Sequence, residues 1–244
     1  MTPFLLPSTC PASCLWKPAG LPVFPTHAAP GSPCLLAWWR DQSAFPTGEF
    51  PSGFEGGIAH RLDTGTSGLV LASSSPAGLA ALRRQFSERA LRKFYVFRSA
   101  AGARESSTVP PTLTVEIPIG HHAKNERKMV VADRPYRQCR GKWYDAWTRF
   151  TWLGEDATCP GAHLWQAEIR TGVMHQVRVH ALHAGLSLCG DPLYSTRPVD
   201  PLDPGSRAPT PFLLHHAQVV FPDGTSSPVA PLPGSLIPAL HVLV

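Results

Sequence analysis

One carboxylate set among very small residues, immediately ahead of an apolar run, most narrows what this chain can become. The stretch is His60-Arg61-Leu62-Asp63-Thr64-Gly65-Thr66-Ser67-Gly68-Leu69. Leu69 to Ala72 is apolar, too short for a helix and suited to a buried strand, so Asp63 stands in a turn that leads into the core. Thr64 to Gly68 carry almost no side-chain bulk, which lets a bulky planar ligand approach the carboxylate and the backbone closely. Asp63 is therefore the candidate reactive group. An ordinary aspartate-capped turn uses the same residues, and the local pattern alone leaves both readings open.

The surrounding chain supplies further elements. Ser75 is placed to cap a helix with Pro76 at its first position, where proline lacks only an amide hydrogen that would be unpaired anyway. Leu79, Leu82, Phe86 and Ala90 fall on one face of that helix and read as packing, while Arg83, Arg84, Arg89 and Arg92 project elsewhere. Phe94 to Phe97 suits a strand on which Phe94 and Val96 share one face and Tyr95 takes the other. Met174 to Ala184 reads as a helix that packs Met174, Val177, Ala181 and Ala184, with Gly185 as its stop. Arg178 borders that apolar face and needs a partner, since an unpaired buried charge is expensive; Asp63 is the expected one. Between Phe24 and Gly57, prolines and glycines suggest loops around a short helix near Cys34 to Arg40. Residues 1–14 read as an irregular leader and 15–244 as one domain.

Composition narrows the class. The 244 residues are 43% hydrophobic, enough for one large core or two modest ones, and carry a net charge of +5, which suits a polyanionic partner without requiring one. Much of the positive charge lies between Lys124 and Arg149, including Lys128; a solvated loop would look the same. The six cysteines show no paired Cys-x-x-Cys units and read as reduced thiols. Cys10 and Cys14 could open a metal site, but no second pair follows. His60, His175, His180 and His183 lack the spacing of a zinc hydrolase, and no phosphate-cradling glycine motif is present. No apolar run approaches the roughly 18 to 20 residues of a membrane helix, and the N-terminus does not resemble a signal peptide; a cytoplasmic location is expected.

In register along the chain, several segments resemble the RluA-type pseudouridine synthases. Lys17-Pro18-Ala19-Gly20-Leu21 is similar to the family's opening strand and turn, and His60 to Leu69 to its catalytic loop. Lys93-Phe94-Tyr95 resembles its Lys-x-Tyr strand. Thr171-Gly172-Val173-Met174-His175-Gln176-Val177-Arg178-Val179-His180, Gly190-Asp191-Pro192-Leu193-Tyr194 and Leu213 to Ala217 resemble its later motifs. One departure stands out: Val173 occupies a position where a basic residue is common, which puts substrate affinity or choice in question.

The resemblance implies an α+β fold, a single catalytic domain over 15–244 with a mixed, largely antiparallel sheet flanked by helices, and no room for the additional RNA-binding module that some relatives carry upstream. It implies isomerisation of uridine to pseudouridine in ribosomal or transfer RNA, without metal or cofactor. A monomer is expected, with no protein partner indicated. Asp63, Tyr95 and Arg178 are the implied catalytic residues. Arg61, Thr66, His175, Gln176, Arg83, Arg84 and Lys128 are expected to bind substrate. A carboxylate can attack a sugar carbon or remove a sugar proton, and the sequence does not choose between them. A noncatalytic RNA-binding factor of the same fold is the second class, disfavoured by the intact Asp63. A carboxylate nucleosidase is the third, weakened by the lack of a second acidic residue beside Asp63.

Overall fold

The computed structural model describes residues 1–26, 30–42, 49–100, 111–133, 139–159, 161–194 and 212–233. Where the sequence reads as one domain, the chain divides into two compact units, one of Met1–Lys93 with His215–Gly234 and one built on Phe94–Leu214.

In the first unit, β1 (Phe4–Leu6), β2 (Ser13–Lys17), β3 (Ser67–Ala72) and β11 (Leu214–Val220) follow one another in a mixed sheet. β1 and β2 pair antiparallel, β2 and β3 antiparallel, and β11 runs parallel to β3. The stretch read as an irregular leader thus contributes a strand, which Phe4 fixes by stacking on Trp16 at 4.9 Å between ring centroids. All six residues of β3 are buried, as a short run without polar alternation requires. Two helices belong to this unit, α1 (Leu35–Arg40) and α2 (Pro76–Ser87). Cys34 caps α1 through its sulfur, and Ser75 caps α2 by accepting the Gly78 N–H at 3.1 Å. Leu79 and Leu82 of α2 pack with Leu69, Leu71, Leu91 and Val219. Ala90 lies beyond the helix, because the chain turns at Arg89 with φ of 56°.

In the second unit, β4 (Arg92–Ala100), β10 (Ala162–Ile169), β9 (Thr148–Glu155) and β5 (Thr112–Val115) lie side by side in that order. The β9 pairings with β10 and β5 are antiparallel. A second, three-stranded sheet places β6 (Ile119–His122) between β7 (Met129–Val131) and β8 (Cys139–Tyr144). Helix α3 (Gln176–His183) packs here, and Val179 joins Ile119, Met129, Val131 and Tyr194 in one apolar cluster.

The helix expected from Met174 to Ala184 starts two residues later. His175 at its entry adopts a left-handed conformation with φ of 56°, and Met174 is 39% exposed. Every residue from Gln176 to Ala181 is buried, so all but the last two residues of α3 are enclosed, unlike the one-sided helix that its sequence suggests.

Candidate active site

Asp63 is half-buried in a turn closed by its own carbonyl, which accepts the Thr66 N–H at 3.0 Å. The next carbonyl, Thr64, is pinned twice: the Gly20 N–H donates to it at 2.8 Å and the Lys17 ammonium at 3.3 Å. Lys17 is fully buried at the end of β2 and also donates to the carbonyls of Pro18 and Leu21 at 3.0 and 2.7 Å. Burial pushes its pKa down to about 8, against the opposing pull of the Asp63 charge. Lys17 is not among the site residues expected from sequence. A lysine ending a buried strand is the signal that could have found it, since such an ammonium must find acceptors.

Behind the turn the support is a histidine framework. His60 Nε2 accepts the Leu71 N–H at 3.0 Å, and its ring stands edge-on to His216 at 5.6 Å. Burial, with Lys93 adding to it, pushes the His60 pKa down to about 3, so this imidazole is neutral. Ser67 Oγ meets His215 Nδ1 at 2.9 Å, and His215 Nε2 reaches the Ala230 carbonyl at 3.1 Å. Gly68 is required where β3 meets β11, since its φ is 112° and a side chain would run into the His216 backbone.

The other residues expected to bind substrate in this unit divide by exposure. Arg61, Arg83 and Arg84 are exposed, with the Arg83 guanidinium 4.0 Å above the Phe54 ring. Thr66 is 2% exposed, so it belongs to the turn's interior.

In the second unit, Tyr95 is a buried residue of β4. Arg178 on α3 is also buried, and its Nε and Nη2 both meet Asp191, each at 2.8 Å. The Tyr194 and Phe212 rings lie 5.0 and 5.4 Å from the guanidinium carbon. Asp191 also accepts the N–H groups of Leu193 and Tyr194. Burial raises the Asp191 pKa, but the Arg178 hydrogen bonds and charge with those N–H groups outweigh it and hold the carboxyl below the usual range. Asp191, carried by the Gly-Asp-Pro-Leu-Tyr segment, is thus a buried partner of Arg178 that the sequence reading did not name.

Two expected substrate binders have other occupations. Gln176, 2% exposed, accepts the Thr171 hydroxyl at 2.8 Å and the Val173 N–H at 3.2 Å, and donates to the Trp147 carbonyl and Thr148 hydroxyl. All four of its hydrogen-bonding positions are met inside the protein, which makes it a clamp on the entry to α3. His175 Nδ1 lies 2.8 Å from the Tyr194 hydroxyl, which accepts the Met129 N–H. Lys128 is partly buried beside a cleft of about 500 Å³ also lined by Met129, Val131, Leu182, His183 and Tyr194. Among the described residues, no group of three or more His, Cys, Asp or Glu side chains is placed to hold a metal, and no helix is long and apolar enough to cross a membrane.

The fold is that of the pseudouridine synthases. A human protein titled RNA Pseudouridylate Synthase Domain Containing 1 superposes with a TM-score of 0.70 at 18% identity, covering 95% of this chain and 84% of that one. Residues 12–183 match the RNA pseudouridylate synthase family, and the chain belongs to it. An uncharacterized RNA pseudouridine synthase of Chloroflexus aurantiacus is 33% identical over 189 residues, 74% of this chain and 51% of the relative. Ribosomal large subunit pseudouridine synthase D of Nitrosomonas europaea is 30% identical over 187 residues, 76% of this chain and 47% of the relative. The chain spans about half the length of these two curated relatives.

Proposed function

We propose that this protein is an RNA pseudouridine synthase that isomerises uridines of structured RNA, ribosomal or transfer, with Asp63 as the reacting carboxylate. The reaction breaks the bond from N1 to C1′, turns the uracil while it stays bound, and joins C5 to C1′; C5 gives up its proton and N1 gains one. One carboxylate serves this chemistry, by attack on C1′ or by removing a sugar proton. The observation that carries the reading is the placement of Asp63, half-buried in a turn whose following carbonyl is held by Gly20 and the buried Lys17. A rigid turn fixes the carboxylate before substrate arrives, which lowers the entropy cost of reaching a reactive geometry.

Tyr95 is assigned to lie against the uracil ring or carry a proton. Arg178, anchored by its fork on Asp191, is assigned to steer the Asp63 carboxylate in the reaction. The target base in folded RNA is stacked, and extruding it costs roughly a few kcal/mol. Arg61 is assigned to the extruded nucleotide, and Arg83, Arg84 and the basic residues from Lys124 to Lys142 to the RNA backbone. The ribosomal choice draws on the Nitrosomonas relative, a ribosomal large subunit pseudouridine synthase. The test is release of tritium from C5-labelled uridine in RNA transcripts. Wild type is expected to release tritium while keeping the base attached, and Asp63→Ala to release none. Undiminished release by Asp63→Ala would remove Asp63 from the chemistry.

A further inference from the structure

We propose that Arg149 and Arg170 form a fork that grips a backbone phosphate of the RNA on the exposed face of the β9–β10 ribbon. The register sets Arg149 of β9 opposite Glu168 of β10. Arg170 follows directly after β10, and its side chain turns toward Glu168. There its guanidinium lies 5.6 Å from the Trp147 ring. Trp147 in turn precedes Arg149 by two.

The Glu168 side chain is only 5% exposed, yet it serves two cations. Its Oε2 stands 3.7 Å from Arg149 Nη1 and its Oε1 3.9 Å from Arg170 Nε. At those separations the carboxylate acts through charge more than through short hydrogen bonds, so it stations the guanidiniums without using up their donors. The two arginine side chains are 47% and 57% exposed. Two guanidiniums sharing one carboxylate leave an excess positive charge.

Paired guanidiniums fit a phosphate better than a neutral group, since their planar N–H forks match its oxygens two at a time. The same face continues in groups that hydrogen-bond to sugars and phosphates. Thr114 lies opposite Arg149, and Thr151 opposite both Gln166 and Thr112. This composition of hydroxyls, an amide and arginines is suited to a nucleic-acid backbone. Buried Glu168 and the Trp147 ring hold the fork in place before RNA arrives, which reduces the ordering cost that long surface cations otherwise meet.

The inference takes RNA as the partner from the function proposed above and adds where its backbone is held. Wild type and the Arg149→Gln/Arg170→Gln double variant are titrated into a fluorescein-labelled oligouridylate across a salt series. Each phosphate neutralised on a single strand contributes about 0.7 to the slope of log affinity against log salt. The double variant is therefore expected to lose about 0.7 in slope and roughly tenfold in affinity. Replacing both arginines with lysine restores the slope but not the full affinity, because charge returns without the fork. Wild-type affinity and slope in the glutamine variant would overturn the proposal.

A measurement on wild type alone guards against misfolding. Phenylglyoxal modifies accessible arginines, and mass spectrometry reads Arg149 and Arg170 with and without the oligouridylate. Protection by RNA is expected; equal modification overturns the fork. Tritium release separates the two readings: protection at both arginines with no release by wild type supports the fork and removes the synthase function.

Discussion

Both carboxylate oxygens of Asp191 meet the guanidinium of Arg178, Oδ2 2.8 Å from Nε and Oδ1 2.8 Å from Nη2, in a pair whose side chains are 0% and 6% exposed. Removing one partner of such a pair deprives a buried charge of a counterion that holds it through two hydrogen bonds. Asp191→Ala is therefore expected to lower stability by about 3 to 5 kcal/mol, read as a shift in urea midpoint. The pH dependence follows from a carboxyl held below its usual range by Arg178 and two N–H groups against the opposing effect of burial. A depressed folded-state pKa contributes stability that is fully present above the unfolded value, near 3.9, and is lost as pH falls through the folded value. Wild type should lose this contribution in acid below about pH 4, and Asp191→Ala should show a flatter urea midpoint there.

Lys17 predicts a limb at the alkaline side. Its pKa is lowered to about 8 by burial, with Asp63 pulling the other way. Deprotonation removes the third N–H, needed to serve Pro18, Leu21 and Thr64 together, and the positive charge beside Asp63. Tritium release is expected to fall as pH rises through about 8. Folding stability moves the opposite way, because between that value and the ordinary lysine pKa the unfolded chain binds the extra proton. Lys17→Arg, which keeps its charge, should carry the activity limb to higher pH; an unmoved limb would assign it to another group.

What was legible in the sequence was local. The Ser75-Pro76 start of α2 and the strand after Asp63 depend on neighbours within a few residues, and the structure has both. The helix around Arg178 is legible too, but not its entry, because nothing in an apolar period announces that His175 takes a left-handed turn. The partners missed are separated along the chain. Lys17 reaches Thr64 across 47 residues and Met129 reaches the Tyr194 hydroxyl across 65. Periodicity carries no record of which buried polar groups will satisfy one another after folding. Arg178 shows the same gap at 13 residues: the need for buried acceptors was evident, and Asp191 as one of them was not.

Gly68 separates close approach from mere turn geometry. It has φ of 112°, and a side chain would collide with the His216 backbone on the neighbouring strand. Gly224 has a comparable φ of 84° but open space around it. Gly224→Ala should cost about 1 kcal/mol from backbone conformation alone. Gly68→Ala should cost more than about 3 kcal/mol, combining that strain with overpacking, and should reduce tritium release by displacing the turn that carries Asp63. Equal melting temperatures for the two variants would contradict the close approach of β3 to β11.

Gln176 gives the sharpest division between holding substrate and holding the fold. Its amide bridges Thr171 and Val173 to Trp147 and Thr148. Gln176→Ala leaves several of those buried groups without a partner, each costing about 1 to 3 kcal/mol when no water reaches it. A clear fall in thermal midpoint is expected, with activity lost in proportion to the folded fraction. A substrate contact would produce the opposite signature, a raised KM at an unchanged midpoint. Gln176→Glu sharpens the comparison, because the Trp147 carbonyl would then face a carboxylate oxygen where it now accepts an N–H. Repulsion between two acceptors at a buried site makes Gln176→Glu less stable at neutral pH than in mild acid, where the introduced carboxyl is protonated and can donate one hydrogen bond. Thermal midpoints measured across that pH range check the sign, and recovery in mild acid is the outcome expected of a structural clamp.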